Sequence, residues 1–284
     1  MLKVYFDRNV FSDICELRNG LTEADVNKIQ KAVDSEAITI PASITLVEET
    51  IRIIELSDDQ YKSHVKTVLS LIDKRRMVKP PEWLLRDDAY NFAVGLAENV
   101  RTTNTPKRLR EVLDLSQSRE ELLSIAGHAK RMRKELSANL TQALLLAREA
   151  GLRSNAGRPD DFSELWNGLA ETTVKLYISK FPREWRVKCI KRGIKKMLRL
   201  RSYRLFAMYY LSLMHTGWFG LQGAPRKVRE GDVGDFMHAI QASFANIFVT
   251  QESKQEAGKL GFILTQVPTP NFEVLNLQEF LQRI

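Results

Sequence analysis

The chain has little of several things, and each shortage closes a class of function. It has only two cysteines, Cys15 and Cys189, far apart and without metal-ligand spacing. A disulfide framework and a structural zinc site are therefore not expected, and a reducing interior is. Histidines are scarce and scattered, at 64, 128, 215 and 238, with no i,i+4 pair and no Glu beside them. A zinc-hydrolase motif is thus absent. There is no GxGxxG and no GxxxxGK[ST] run, so nothing supports dinucleotide binding or P-loop nucleotide hydrolysis. No apolar run approaches the ~20 residues that span a bilayer. The first residues read as a folded strand and not as a charged-then-apolar leader. A cytoplasmic protein with no membrane partner is expected. Repeats and low-complexity tracts are also missing.

What is present reads as an ordinary globular chain. Apolar residues make up 44% and charged residues 27% of 284 positions. That is enough for a good core, arranged as one inserted domain or as two. The net charge of +8 favours a polyanionic partner over an acidic surface.

Residues 231–253, GDVGDFMHAIQASFANIFVTQES, organise the rest. Asp232 and Asp235 open a helix that continues through Met237, Ile240, Ala242 and Phe244. Ile247, Phe248 and Val249 then form a β-prone run ending at Thr250 and Glu252. The start of the chain matches this pattern. Leu2, Val4, Tyr5 and Phe6 read as a strand, followed at once by Asp7, with Asn9 two residues on. A second strand over 37–40 stops at Pro41, and Ser43 opens a helix carrying Glu48 and Glu49. One acid near a helix N-terminus only answers the helix dipole, worth ~0.3–1 kcal/mol. Acids recurring at the ends of several strands mark instead the rim of an open sheet where ligands bind.

The segments YFDRNVF, ITLVEE and DFMHAIQASFANIFVTQES resemble the signature blocks of PIN-domain nucleases. Asp7 and Asn9 match the first block. Ser43, Thr45 and Glu48 match the second, Asp235 the third, and Thr250 with Glu252 the last. The resemblance covers about 1–80 and 230–284. Two positions depart from the pattern: Arg8 stands where a small polar residue is usual, and Glu252 replaces an Asp. The resemblance implies an α/β fold: a three-layer α/β/α PIN-like core with a mostly parallel central sheet. The core is split into 1–80 and 230–284 by a large all-helical insertion over 81–229.

Along the chain, helices are expected near 11–17 and 23–33, the latter with a Thr22/Asp25 capping box. Another spans 43–56, with Ile44, Val47, Ile51 and Ile54 on its apolar face. That register places Glu48 beside the stripe and Glu49 outward, as a solvated neighbour. A helix over 61–72 and a short strand at 77–79 complete the first part. In the insertion, helices are expected over 83–100, over 119–150 as one long helix or a bent pair, and over 161–177. Leu122, Ile125, Met132 and Leu136 are the candidate core positions of the long one. Residues 101–106 and 151–159 read as turns. Residues 180–204 hold eleven Lys or Arg against one acid, Glu184. Val187, Ile190, Ile194 and Met197 give this segment one apolar face. Lys188, Lys191, Arg192, Lys195, Lys196 and Arg199 are candidate contacts to a phosphate backbone. The competing readings are a solvated face or a membrane-surface helix. Phe181, Trp185 and Tyr203 read as packing residues before base-stacking ones. His238, one turn after Asp235, reads by default as a hydrogen-bonded helix residue.

Carboxylates without thiolate or imidazole select hard cations, Mg²⁺ or Mn²⁺. Asp7, Glu48 and Asp235 are the expected metal ligands, Asp232 and Glu252 direct or water-mediated ones, and Asn9 and Thr250 orienting groups. The resemblance implies an endoribonuclease that leaves a 5′-phosphate and a 3′-hydroxyl on single-stranded or structured RNA. Two other readings stand beside it. One is a PIN-like RNA- or protein-binding module without catalysis. The other is a toxin or defence nuclease, of the toxin–antitoxin kind, held by an inhibitory protein partner. Members of the family often form homodimers, although no motif for pairing is seen in this chain.

Overall fold

The computed structural model describes residues 1–96, 101–104, 117–153, 162–218, 227–251, 262, 264 and 268–284. Strand β1 (Leu2–Phe6) leads into α1 (Arg8–Glu16) and α2 (Glu23–Asp34), the latter capped by the expected Thr22/Asp25 box. Strands β2 (Ile38–Thr39) and β3 (Pro41–Ser43) follow, then α3 (Ile44–Ile51) with a 3₁₀ tail at Arg52–Glu55. The expected strand over 37–40 is the short β2, and a further strand, β3, begins at Pro41, where a stop was expected. Proline brings no N–H, and at Pro41 the chain changes partner and the pairing register shifts. Helix α4 (Asp58–Leu71), β4 (Asp73–Val78) and α5 (Pro81–Val94) complete the first half. Helix α5 stops earlier than expected because Gly95 takes a left-handed φ of 81° as its cap.

The insertion is not all-helical. Strand β5 (Thr102–Asn104) lies in a stretch expected to be a turn and pairs antiparallel with β4. Its TTN composition carries no apolar alternation, so pairing with the edge of β4 decides it. Helix α6 (Arg119–Arg153) is one helix of 35 residues. Its buried face runs through Leu122, Ala126, Ala129 and Arg133, whereas the expected core positions Met132 and Leu136 are exposed. The expected 151–159 turn overlaps its last turn at 151–153 and otherwise lies outside the described residues. Helices α7 (Phe162–Ile178), α8 (Arg183–Arg192), α9 (Ile194–Met197) and α10 (Arg201–Trp218) follow. Gly193, at φ 97°, breaks the basic segment in two. The expected single apolar face fails there: Ile194 and Met197 are buried, Val187 and Ile190 are exposed, and Cys189 takes the inward position. The last elements are α11 (Glu230–Ala242), β6 (Ile247–Val249), β7 (Glu273–Leu275) and α12 (Leu277–Arg283).

Four parallel strands form a sheet in the order β2-β1-β6-β7, and β3-β4-β5 form a second. Strand alternation sorts the core into two layers. Val4, Phe6, Ile247 and Val249 join one cluster with α1, α2, α3, α4 and α12. Tyr5 and Phe248 join the other, with α5 and α7 to α11. This is a helix–sheet–helix sandwich, and the insertion shares a core with the sheet. Helix α6 belongs to both layers, because Leu122 and Ala126 lie in the first cluster and Leu144 in the second. Among the described residues, no helix is long and apolar enough to cross a membrane.

Candidate functional site

The carboxyl ends of β1 and β6 lie side by side, since Phe6 pairs with Val249. The next residue on each strand therefore meets the other. Asp7 Oδ2 accepts a hydrogen bond from the Thr250 hydroxyl. Its Oδ1 accepts from the Val10 amide at 3.0 Å as the N-cap of α1, and its own amide donates to the Val249 carbonyl at 3.2 Å. Both residues are buried. The acid after the first strand thus serves as a helix cap and is also fixed at the rim.

Beside it lies a chain of polar groups that local patterns did not show. The Tyr5 hydroxyl is 2.7 Å from His238 Nδ1, 2.9 Å from Ser43 Oγ and 3.2 Å from Gln241 Oε1. His238 Nε2 is 2.9 Å from Glu49 Oε2. Arg133 NH1 donates to Glu49 Oε1 at 2.8 Å, and its NH2 stands 3.6 Å from Glu48 Oε2. Arg133 is 3% exposed, so a cation carried in by the insertion is sealed against two glutamates of α3. Gly234 makes room for this. A Cβ there would stand 2.7 Å from Glu49 Oε1 and 3.2 Å from Arg133 NH1.

Charge in this network is balanced internally. Burial opposes the charge on His238, but Glu49, and after it Asp7 and Asp235, outweigh burial and raise its pKa. Burial likewise opposes ionisation of Glu49, yet His238 and Arg133 overcome it and hold the carboxyl at about 2. Glu48 goes the other way, raised by burial against the pull of Arg133. Tyr5 is pushed far above the usual phenol range by burial and stays neutral.

The expected site residues divide as follows. The charges of Asp7 and Asp235 both raise the pKa of His238, and the Thr250 hydroxyl donates to Asp7. Glu48 is turned toward Arg133. Glu49, expected in solvent, is the more buried of the pair, its side chain 16% exposed against 23% for Glu48. The reason is tertiary: α6 and α11 pack along the edge of α3 that the periodicity leaves polar. Asp232 caps α11, its Oδ2 accepting from the Arg229 amide at 2.7 Å. Ser43 caps α3, receiving the Leu46 amide at 3.0 Å. Thr45 is fully buried, and its hydroxyl has no hydrogen-bond partner among the described residues. Asn9 is exposed, and Glu252 lies outside the described residues. Lys188, Lys191, Arg192, Lys195, Lys196 and Arg199 are all exposed. Phe181 packs on Tyr177, Trp185 on Tyr90, and Tyr203 is buried, so these rings pack.

No family model, curated protein or solved structure matches the chain. The site therefore rests on its own geometry. By donor chemistry, carboxylates and a hydroxyl without thiolate suit a hard divalent cation. Placement suits it less: among the described residues, no three His, Cys, Asp or Glu side chains are grouped to hold a metal. Arg133 and His238 already compensate Glu49.

Proposed function

We propose that the chain is a PIN-like, metal-dependent endoribonuclease of the cytoplasm. The observation that carries this reading is the fixed carboxylate at the ends of two adjacent parallel strands. Asp7 is held by Thr250, and Asp235 acts on the same buried imidazole. Ligands bind at this rim in open α/β sheets. Asp7 and Asp235 would hold Mg²⁺ or Mn²⁺, with Glu48 and Glu252 as further candidates. The cation would supply an acidified water and would neutralise charge on a phosphoryl oxygen. The chain's own residues do the rest. Thr250 and the Val10 amide fix the Asp7 carboxylate, and a fixed ligand loses little entropy when it binds. His238 bridges Glu49 and Tyr5 behind the rim. The exposed lysines and arginines of α8 and α9 suit an RNA backbone as partner. A toxin or defence role would add an inhibitory protein, and a second copy of the chain is a further candidate partner.

One observation favours a second reading, a binding module without catalysis. Arg133 and His238 neutralise acids from within, and the described carboxylates do not close into a metal-holding group. A mixed RNA pool incubated with the protein in Mg²⁺ or Mn²⁺ separates the two. Cleavage that Asp7→Asn and Asp235→Asn abolish while RNA binding persists supports the nuclease. Binding with no cleavage in either metal overturns it and leaves the module.

A further inference from the structure

Away from the rim, at the opposite end of the strands, a cleft of about 700 Å³ opens between the starts of β1 and β4 and the loop after α11. Lys3 on its wall lies four residues before Asp7, roughly 13 Å back along the strand. The cleft is lined by Lys3, Arg76, Arg101 and Arg201, and among the described residues Asp73 is the one acid on its wall.

These cations are of two kinds. Arg101 and Arg201 are anchored. Arg101 NH1 is 3.2 Å from Asp88 Oδ2 and from Ser243 Oγ, and its side chain is 10% exposed. Arg201 NH1 donates to the carbonyls of Ser243, at 3.3 Å, and of Ala245. Lys3 and Arg76 are both exposed, and neither side chain has an ion pair among the described residues. Among the described residues, four cations against Asp73 and Asp88 leave an excess of two positive charges there. A purely structural role accounts for Arg101 and Arg201, which tie down the end of α11. It does not account for Lys3 and Arg76, exposed cations lining the same cleft as the other two.

We propose that this cleft is a nucleotide-phosphate site. Guanidiniums anchored by the fold are already ordered, so an arriving phosphate meets positive charge that is fixed in place. The volume lies within the ~300–1,000 Å³ of small-ligand sites. Phe244 adds an apolar wall. Two sources carry the same chemistry, a free nucleotide and the backbone of a nucleic-acid strand. The site is independent of the nuclease reading and stands or falls without it.

Calorimetry on the full chain in EDTA, where no divalent cation supports cleavage, tests the site with three probes: pyrophosphate, ATP and a short single-stranded oligonucleotide. Saturable, salt-sensitive binding is expected. It should weaken at least tenfold in Lys3→Glu/Arg76→Glu. It should be unchanged in Lys62→Glu/Lys66→Glu, which alters net charge equally on the exposed face of α4. Thermal melts confirm that both proteins are folded. Binding of ATP and pyrophosphate assigns a free nucleotide, and binding of the oligonucleotide alone assigns a strand. No saturable binding of any probe overturns the proposal, and so does equal weakening in both variants.

Discussion

Removing the hydroxyl of Tyr5 should cost more than its size suggests. Tyr5→Phe leaves Ser43, His238 and Gln241 short of a buried partner, and each unsatisfied group is expensive. A loss of about 1–3 kcal/mol is expected from urea denaturation. Arg133→Met should cost about 3 kcal/mol or more, because Glu49 keeps its charge and loses one of its two cations. An unchanged urea midpoint would show that Arg133 is only a bystander. The pH profile follows from the pair at the centre. Glu49 sits at about 2 in the fold against an ordinary 4.5, so its contribution is complete above pH 4.5 and is lost as pH falls toward 2. That acid limb is worth up to roughly 3 kcal/mol and should flatten in Glu49→Gln. His238 is raised above its ordinary 6.5, so its contribution is complete below 6.5 and fades as pH climbs through the raised value. Stability should therefore peak between the two ordinary values. At this scale, Asp7, Ser43 and Thr250 were legible because an acid or hydroxyl directly after an apolar strand is a local pattern. Glu49 and Arg133 were not, because only the meeting of α3 with α6 gives them partners.

Helix α11 carries the sharpest test of packing. Replacing a helix-interior glycine by alanine normally gains about 1 kcal/mol. At Gly234 the new methyl would press on Glu49 and Arg133, and overpacking costs about 1–3 kcal/mol. Gly234→Ala should thus be neutral to destabilising in the parent. It should turn stabilising in a Glu49→Ala background, a non-additivity that a double-mutant cycle in urea measures directly. Strands and helices with strong patterns were readable in advance: β1, the Thr22 box of α2, α4, α7 and β6. Helix α6 was readable as a helix but only partly in rotation: Leu122 is buried and Ile125 partly buried, as expected, and Met132 and Leu136 are not. Between Leu122 and Leu144 its inward face is built from Ala126, Ala129 and Arg133, while the larger side chains at 132 and 136 point to water. Strand β5 left no trace, because three polar residues become a strand only through a neighbour's edge.

Across the molecule, the sheet separates two apolar compartments, and the insertion fills one of them jointly with α11 and β6. Deleting 81–229 should therefore not yield a folded remainder, because it strips the cover from Tyr5 and Phe248. Loss of cooperative thermal unfolding in the deletion protein is the expected result, and a sharp, reversible melt would show that the sheet stands alone. Helix α6 is roughly 50 Å long at 1.5 Å per residue. It enters one compartment near its start and the other near its end, with Arg133 at the crossing. Such a girder makes the halves fail together: a wedge driven under one end lifts the other. Amide exchange on α4 and on α10, which never touch the same cluster, should then accelerate in step when Ala126 is enlarged to leucine.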